Sequence, residues 1–194
     1  MEKINRVIQE MLEIAHLCYQ RGLVSGTSGN LSVCRGKTMW ISATGTCLGT
    51  LSENEILSIP LEKEQNISPE TLPVKPSSDY LFHRYLYQHS SFHALLHLHP
   101  PYCTALSFYL TEFIPETSER YYFPERILVI PQIAPNISDY PRVAKALMEG
   151  RIVILKHHGI VSAGENLQEA FYRADALEHS AQIAFQKRVW AHLL

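Results

Sequence analysis

Helix-like and strand-like segments are mixed irregularly along this sequence, and that mixture restricts the possible folds more than any other feature. From Glu2 to Arg21, apolar residues recur three and four positions apart, which is the period of an amphipathic helix. The segments Leu31 to Cys34 and Thr38 to Ser42 flank Arg35-Gly36-Lys37 as the strands of a hairpin would. Hairpins with short loops, without a regular alternation of strand and helix, predict a mixed β-sheet between helical layers.

The rest of the chain continues this mixture within a length that fits one domain. The sequence has 194 residues, and globular domains commonly contain roughly 150, so we expect residues 1–194 to form a single domain. Further helices are predicted at Ser77 to Gln88, Tyr102 to Phe108, Asp139 to Gly150 and Leu167 to Arg188. Further strands are predicted at Ile56 to Leu61, His93 to His99, Ile127 to Ile130 and Ile152 to Leu155.

Charge and hydropathy exclude several classes of protein. Lys and Arg number 17 and Asp and Glu 19, for a net charge of -2, and no basic stripe stands out, so nucleic acid is not an expected partner. The longest apolar stretches, such as Ile127 to Ile130, are far shorter than the ~20 residues that cross a bilayer, so no membrane association is expected. The start, Met1-Glu2-Lys3, lacks the apolar core of a secretory signal, which predicts a cytoplasmic protein.

Ten histidines are present, and two groups of them are candidates for metal binding. His97 and His99 are two positions apart on a predicted strand, where alternate side chains point to the same face, ~6.6 Å apart at the backbone. The alternative is that both rings are packed and hydrogen-bonded in a half-buried sheet. His157 and His158 follow the apolar strand Ile152 to Leu155, and there the alternative is an ordinary turn.

A single carboxylate, Asp79, accompanies these histidines near the start of a predicted helix. Free backbone N–H groups and the helix dipole stabilise a carboxylate in a first turn, and this is a sufficient structural explanation by itself. Taken together, however, three imidazoles and one carboxylate form a tetrahedral set of nitrogen and oxygen ligands that suits Zn²⁺. The combination favours a zinc site.

Three segments rich in glycine, hydroxyl or amide groups add a second theme. They are Gly26 to Asn30, Thr44-Gly45 and Ser77-Ser78. Backbone N–H and hydroxyl groups in such turns can bind a phosphate. Each segment alone is more simply an ordinary turn or helix cap, because neither glycine run has the nucleotide-binding spacing. These segments indicate an anion-binding site because they occur together with a candidate metal site.

These segments occur in the order that is seen in the class II aldolase/adducin family, which the sequence resembles from about Glu2 to Gln186. The joint occurrence of the matching pieces is specific, although each piece alone is not. They are Gly26-Thr27-Ser28-Gly29-Asn30-Leu31-Ser32, Thr44-Gly45, Pro76-Ser77-Ser78-Asp79, His97-Leu98-His99-Pro100 and His157-His158-Gly159-Ile160.

The resemblance implies a three-layer α/β/α sandwich whose central sheet is mixed and largely antiparallel. It also implies one catalytic Zn²⁺ per subunit and a homotetramer with active sites between neighbouring subunits. Carried over position by position, the zinc ligands are Asp79, His97, His99 and His158, and His157 is only a neighbour. The residues of the implied phosphate pocket are Gly29, Asn30, Thr44, Gly45, Ser77 and Ser78.

Asp79 is also the implied catalytic residue, and it is the main departure from the aldolase branch of the family. That branch has a glutamate here, which alternates between binding the metal and moving protons, whereas the 4-epimerase has an aspartate. The aspartate is ~1.5 Å shorter, about one carbon–carbon bond. The surrounding segments, Ser78 to His83 and His99 to Ala105, are nevertheless closer to the aldolase branch.

The catalytic tyrosines of the family are the second point on which this sequence departs from its relatives. The aldolases and the epimerases of the family have a C-terminal tail with a catalytic tyrosine, and we expect no counterpart of it before Leu194. Another aldolase tyrosine corresponds to Tyr121 or Tyr122, and the spacing leaves both open.

The function implied by the resemblance is that of a zinc-dependent aldolase. It would cleave a ketose 1-phosphate of the fuculose-phosphate type into dihydroxyacetone phosphate and an aldehyde. Alternatives on the same scaffold are an L-ribulose-5-phosphate 4-epimerase, a sugar-phosphate dehydratase and a decarboxylase. A non-catalytic binding module, as in adducin, is a further alternative, although the presence of all four implied zinc ligands argues against it.

Overall fold

A computed structural model describes residues 2–62, 73–133 and 136–193 of the protein, with a β-sheet at the centre. The strands are β1 (Asn30–Arg35), β2 (Thr38–Ser42), β3 (Ile56–Pro60), β4 (Ala94–Leu98), β5 (Glu112–Phe113), β6 (Ile127–Ile130), β7 (Ile152–Leu155) and β8 (Gly159–Gly164). They form one eight-stranded sheet in the order β3-β2-β1-β4-β8-β7-β6-β5. Neighbouring strands are antiparallel throughout, except that β6 and β7 are parallel.

Helices cover both faces of the sheet. They are α1 (Glu2–Gln20), α2 (Tyr80–His89), α3 (Pro101–Leu106), α4 (Tyr140–Gly150) and α5 (Leu167–Leu193). One apolar core, which includes Met11, lies under α1 and α5, and the other, which includes Phe82, lies under α2 and α4. Leu95 and Leu96 are neighbours on β4 and belong to opposite cores, as the alternation of side chains along a strand requires. The predicted three-layer sandwich with a mixed, largely antiparallel sheet is confirmed.

By length and apolar character, none of the helices in the described part of the chain qualifies as a bilayer-crossing segment. Most predicted elements are present, with some ends shifted. Helix α2 begins at Tyr80 rather than near Ser77, because the Ser77 N–H donates to the Ser42 carbonyl at 3.0 Å and ties Ser77 to the end of β2. Helix α5 extends to Leu193 rather than ending at Arg188.

Strand β8 is missing from the sequence-based prediction. The glycines at its two ends, Gly159 and Gly164, resemble turn residues, yet every residue of the strand is buried. Gly159 has to lack a side chain, because a Cβ atom there would lie 2.2 Å from the Leu98 carbonyl oxygen of β4. Strand β5 is also absent from the prediction, since its two residues are too few for a pattern.

Glu178 of α5 joins that helix to the first turn of α3, which begins two residues after His99. The carboxylate accepts hydrogen bonds from the backbone N–H groups of Tyr102 at 2.8 Å and Cys103 at 2.9 Å, and the residue is buried. The N–H groups of a first helical turn need acceptors, and a carboxylate is a strong one. Glu178 therefore fixes where α3 begins.

Replacing Glu178 with alanine is expected to lower the free energy of unfolding by about 3 kcal/mol, because two charge-assisted hydrogen bonds are lost from a buried position. Urea unfolding followed by circular dichroism measures this change. Glu178→Gln is the matched control, and its loss should be smaller, since the amide oxygen still accepts a hydrogen bond. An alanine variant as stable as the wild-type protein would contradict this role.

Candidate metal centre and substrate pocket

One cavity of about 160 Å³ is lined by every residue predicted for the site from the sequence. It lies where β1, β2 and β4 come close to the turn between β7 and β8 and to the start of α2. The predicted residues around it are Gly29, Asn30, Thr44, Gly45, Ser77, Ser78, Asp79, His97, His99 and His158. Segments that are far apart along the chain therefore converge on one place.

Three histidines meet in this cavity because β4 and β8 are paired strands. His97 lies on β4, His99 follows that strand, and His158 immediately precedes β8. The Nε2 atom of His97 is 3.0 Å from Nε2 of His99 and 3.2 Å from Nε2 of His158. One nitrogen of each ring lies within 4.8 Å of the others. Three imidazole nitrogens thus surround one point.

The turn between β7 and β8 separates the two adjacent histidines. His157 has a φ of +61°, and its backbone N–H donates to the Ser107 hydroxyl at 2.8 Å. Its exposed ring stacks on Phe108, with 4.2 Å between the ring centroids. The segment is therefore a turn, as the alternative interpretation holds, and it still directs His158 into the cavity.

A hydrogen bond on the far side of the ring orients His97. Its Nδ1 atom is 3.0 Å from the carbonyl oxygen of Ile160, and the side chain is almost fully buried. Because a carbonyl oxygen can only accept, Nδ1 carries the proton, and a neutral ring then presents an unprotonated Nε2 to the other two rings. Histidines that bind metals commonly have such a partner on their second nitrogen.

All three rings are held in the neutral form. Burial lowers the pKa of His97 below its ordinary value. Burial, together with the neighbouring His97 and His158, lowers the pKa of His99 to about 3. Burial and His97 lower the pKa of His158 to about 4. Since imidazole binds a metal through an unprotonated nitrogen, the rings are in the required form at neutral pH.

Asp79 lies at the N-cap of α2, but its side chain makes no capping hydrogen bond. The capping explanation of this residue is therefore wrong. Instead, Oδ2 accepts a hydrogen bond from Asn30 Nδ2 at 3.0 Å, and Oδ1 accepts one from the Ile137 N–H at 3.0 Å. Oδ2 also lies 3.9 Å from His97 Nε2. The carboxylate is turned towards the histidines rather than towards its own helix.

The Asp79 carboxylate is stabilised in its ionised form although the residue is 5% exposed. Burial raises its pKa, but attraction to His97, which acts when that ring is protonated at low pH, and the hydrogen bonds from Ile137 and Asn30 outweigh burial and leave the pKa below its ordinary value. A charged carboxylate beside neutral imidazoles is an electrostatically favourable place for a cation.

The arrangement fits a divalent transition metal. His97 Nε2 has one lone pair, which cannot make two good hydrogen bonds to the rings of His99 and His158 at once. A shared cation would satisfy all three nitrogens and also offset the buried charge of Asp79. The donor set of three imidazoles and a carboxylate suits zinc in particular.

The predicted phosphate residues provide mostly hydroxyl groups to the cavity. Ser77 is buried, and its Oγ accepts a hydrogen bond from the Asp79 N–H at 3.3 Å, whereas Ser78 and Thr44 are exposed. The expectation of an exposed Thr44 backbone N–H is wrong, because that group donates to the Lys75 carbonyl at 2.9 Å. Of the two donors of Thr44, the hydroxyl group is therefore the one that remains a candidate for binding a phosphate.

Gly29 permits the close approach of its turn to β4. It has a φ of +77°, and a Cβ atom there would lie 2.9 Å from the His97 carbonyl oxygen and 2.6 Å from a Val24 methyl group. Asn30 follows as the first residue of β1 and carries the amide that bonds Asp79. Gly29 thus allows Asn30, a predicted phosphate-binding residue, to lie next to β4, the strand that carries His97.

Four further residues line the cavity and are not among the predicted ones, namely Thr27, Ser28, Ala43 and Asn136. The first two belong to the glycine-containing segment, so its hydroxyl groups were a usable signal. Asn136 follows β6 in a segment without a recognisable motif, and nothing in the sequence indicates its place. Tyr121 and Tyr122 do not line the cavity and are 89% and 68% exposed.

Comparison with known proteins identifies the family. The protein-family model described as Class II Aldolase and Adducin N-terminal domain matches residues 9–185, and the chain belongs to this family. The L-fuculose phosphate aldolase of Methanococcus maripaludis (strain C5) is 32% identical over 179 residues, which are 92% of this chain and 95% of that protein. The 3-oxo-tetronate 4-phosphate decarboxylase of Escherichia coli K12 is 31% identical over 191 residues, with 91% and 85% covered.

A solved structure has the same fold over almost the whole chain. The L-fuculose-1-phosphate aldolase from Thermus thermophilus superposes on this chain with a TM-score of 0.85 and 28% sequence identity. The superposition covers 97% of each of the two chains. The family resemblance stated from the sequence motifs is therefore confirmed.

Proposed function

We propose that the protein is a zinc-dependent lyase that cleaves a ketose 1-phosphate of the fuculose-phosphate type into dihydroxyacetone phosphate and an aldehyde. The observation that carries this proposal is the convergence of three imidazole nitrogens, the Asp79 carboxylate and the predicted phosphate residues on one cavity. Family membership and the 32% identity to an L-fuculose phosphate aldolase support it.

His97, His99 and His158 would hold the Zn²⁺, with Asp79 as the fourth protein ligand. When bound, the ion supplies Lewis-acid stabilisation of the negative charge that develops on the substrate oxygens as the C3–C4 bond breaks. The protein contributes rings that are already neutral and a His97 side chain whose orientation is fixed by the Ile160 carbonyl.

Asp79 would move the proton at C3. In cleavage, its ionised carboxylate would accept the proton that leaves the C4 hydroxyl as the C3–C4 bond breaks and the aldehyde carbonyl forms, and it would deliver that proton to C3. In the direction of synthesis the proton would move the opposite way, from C3 of dihydroxyacetone phosphate to the new C4 hydroxyl. Oδ2 is the proposed atom, since it lies 3.9 Å from His97 Nε2 and so faces the metal site. The pKa of Asp79 lies below its ordinary value, so the carboxylate starts as a proton acceptor at neutral pH.

The phosphate would bind at Gly29, Asn30, Thr44, Gly45, Ser77 and Ser78. No lysine or arginine of the described residues lines this cavity, so neutral donors would carry the binding. The N-terminal end of α2, which follows Ser77 and Ser78, adds the positive end of a helix dipole. Binding energy from the remote phosphate would then position the reacting carbons.

The assay that tests the proposal uses purified, zinc-loaded protein and a panel of ketose 1-phosphates that differ in stereochemistry at C3 and C4. We expect release of dihydroxyacetone phosphate from at least one member, followed through a coupled oxidation of NADH. Metal-stripped protein is the control and should be inactive until zinc is restored. Silence across the whole panel would exclude the aldolase assignment.

A decarboxylase is the second candidate, because a 3-oxo-tetronate 4-phosphate decarboxylase is almost as similar as the aldolase relatives. Loss of CO₂ from a 3-oxo acid leaves the same kind of negative charge on an oxygen next to the breaking bond. A ¹³C NMR assay of CO₂ release from a 3-oxo-tetronate 4-phosphate distinguishes the two reactions.

The aspartate at position 79 also favours a 4-epimerase, which would interconvert pentulose 5-phosphates without releasing fragments.

We also propose a cytoplasmic homotetramer whose active sites lie between neighbouring subunits. Large apolar side chains that are far more exposed than usual support an oligomer, among them Tyr109 at 88%, Tyr121 at 89% and Ile133 at 94%. Sedimentation velocity should give a mass near four times the 22.1 kDa of one chain. A single species at the monomer mass would exclude the tetramer.

A further inference from the structure

A stripe of polar side chains on α2 faces the polar side chains of β1. Asp79, His83 and Tyr87 are four residues apart, so they lie on one side of the helix. Asn30 and Ser32 are two residues apart, so they lie on one face of the strand. Both sets are buried. Two polar rows therefore meet between the sheet and the helix.

Hydrogen bonds connect the two rows at successive levels. At the cavity, Asn30 Nδ2 donates to Asp79 Oδ2 at 3.0 Å. One helical turn further on, Ser32 Oγ lies 2.6 Å from His83 Nδ1. The same hydroxyl lies 2.7 Å from the Tyr87 hydroxyl, which also donates to the Ser32 carbonyl at 3.0 Å.

Stability alone does not explain a histidine at position 83. Its neighbours Phe82 and Leu86 belong to an apolar core, and the ring has no exposed surface. Its Nε2 atom is buried without a hydrogen-bond partner in the described part of the protein. A buried polar atom without a partner costs about 1–3 kcal/mol, and apolar replacements of buried polar groups are often neutral or stabilising.

Directionality is what the polar contacts add. Apolar packing of Phe82 and Leu86 holds α2 against the sheet but depends little on small rotations of the helix. Hydrogen bonds depend strongly on angle and distance. A rotation of α2 by ~20° would move a side-chain atom at a radius of ~5 Å by ~2 Å. Such a shift is enough to take the Asp79 carboxylate away from His97.

We propose that His83 is a positioning residue: its hydrogen bond to Ser32 fixes the rotation and register of α2 on β1 and thereby holds the Asp79 carboxylate beside His97. Nothing in this role requires His83 to touch the substrate or the metal. The expected effect of His83 on zinc affinity rests on the proposed function. Its expected effect on the position of the Asp79 carboxylate does not.

The test uses the whole 194-residue chain and its His83→Leu variant, which keeps a side chain of similar volume and removes the bond to Ser32. The first readout is amide hydrogen exchange at Ile137 in metal-free protein, because this N–H donates to Asp79 Oδ1 at 3.0 Å. We expect exchange to be roughly 10-fold faster or more. The second readout is zinc affinity, which should fall by about 10- to 100-fold, as for other residues that orient metal ligands.

His83→Asn is the rescue variant, since its carboxamide nitrogen can take the place of Nδ1 and restore the bond to Ser32. Both readouts should return to within a few-fold of the wild-type values. Ser180→Ala is the matched control for a buried polar loss, because among the described residues the Ser180 side chain bonds only the Thr117 hydroxyl, at 2.9 Å, on the opposite face of the sheet. It should leave the Ile137 amide and zinc affinity unchanged.

Wild-type exchange at Ile137 in a folded His83→Leu protein would overturn the proposal. Equal impairment of His83→Leu and His83→Asn would also overturn it, because that pattern indicates packing alone. If His83→Leu does not fold, Ser32→Ala removes the same bond from the strand side and is expected to expose the Ile137 amide. If wild-type protein binds no zinc, the proposed function fails, and the exchange measurement still decides the role of His83.

Discussion

Replacing His97 with alanine is expected to weaken zinc binding by more than about 100-fold, since even the loss of a residue that merely orients a metal ligand commonly costs 10- to 100-fold. His97 is the central ring of the three, with its Nε2 atom 3.0 Å from that of His99 and 3.2 Å from that of His158. It is also the ring closest to Asp79. Competition with a chromophoric chelator on metal-stripped protein measures the affinity.

The matched control for His97→Ala is His157→Ala. His157 is adjacent to a proposed ligand in sequence, but its ring is exposed and stacked on Phe108. We expect wild-type zinc affinity for this variant and a loss comparable to that of His97→Ala for His158→Ala. Zinc affinity that survives in His97→Ala, or that is lost in His157→Ala, would show that the ligand assignment is wrong.

Replacing Asp79 with asparagine is expected to reduce kcat by about 10²- to 10⁴-fold, the usual contribution of a proton-transferring side chain. The amide has nearly the same shape, and its oxygen can still accept the hydrogen bond from the Ile137 N–H. Asn30 can rotate to offer Oδ1, which has no partner in the described structure, to the new amide nitrogen. The fold should therefore persist while the proton acceptor is lost.

Kinetics of Asp79→Asn have to be measured at saturating zinc, because the variant also lacks a proposed ligand. Under that condition three histidines remain to hold the ion, and a fall in kcat reports on proton transfer. Asp79→Glu tests the reach of the side chain, since it adds one methylene to a carboxylate that is already bonded on both oxygens. A wild-type kcat for Asp79→Asn would remove Asp79 from the chemistry.

Periodicity in the sequence was sufficient for most of the fold. Helix α1 and the hairpin of β1 and β2 have clear periods of 3.6 and 2 residues, and both are present in the structure. Strand β8 escaped prediction because Gly159, its first residue, serves close packing against Leu98 rather than a turn. The sequence pattern cannot distinguish these two uses of glycine, since the neighbouring strand is specified more than fifty residues earlier.

The side chains of the candidate site were predictable, but the contacts that hold them were not. Histidines and hydroxyl residues carry a chemical signature in the sequence, and all those predicted line one cavity. The partner of Asp79 Oδ1 is the backbone N–H of Ile137, and any residue type could supply that group. His83 had a usable signal, namely its spacing of four residues from Asp79 on the predicted helix.

Anomalous diffraction from crystals of zinc-loaded protein, recorded on both sides of the zinc absorption edge, tests the metal site most directly. We expect a single strong peak per subunit at ~2.0–2.1 Å from an Nε2 atom of His97, His99 and His158. The rings then have to move apart from their present 3.0 and 3.2 Å separations to admit the ion. Absence of a peak between these rings at saturating zinc, with the three histidines still bonded to one another, would contradict the proposed catalyst.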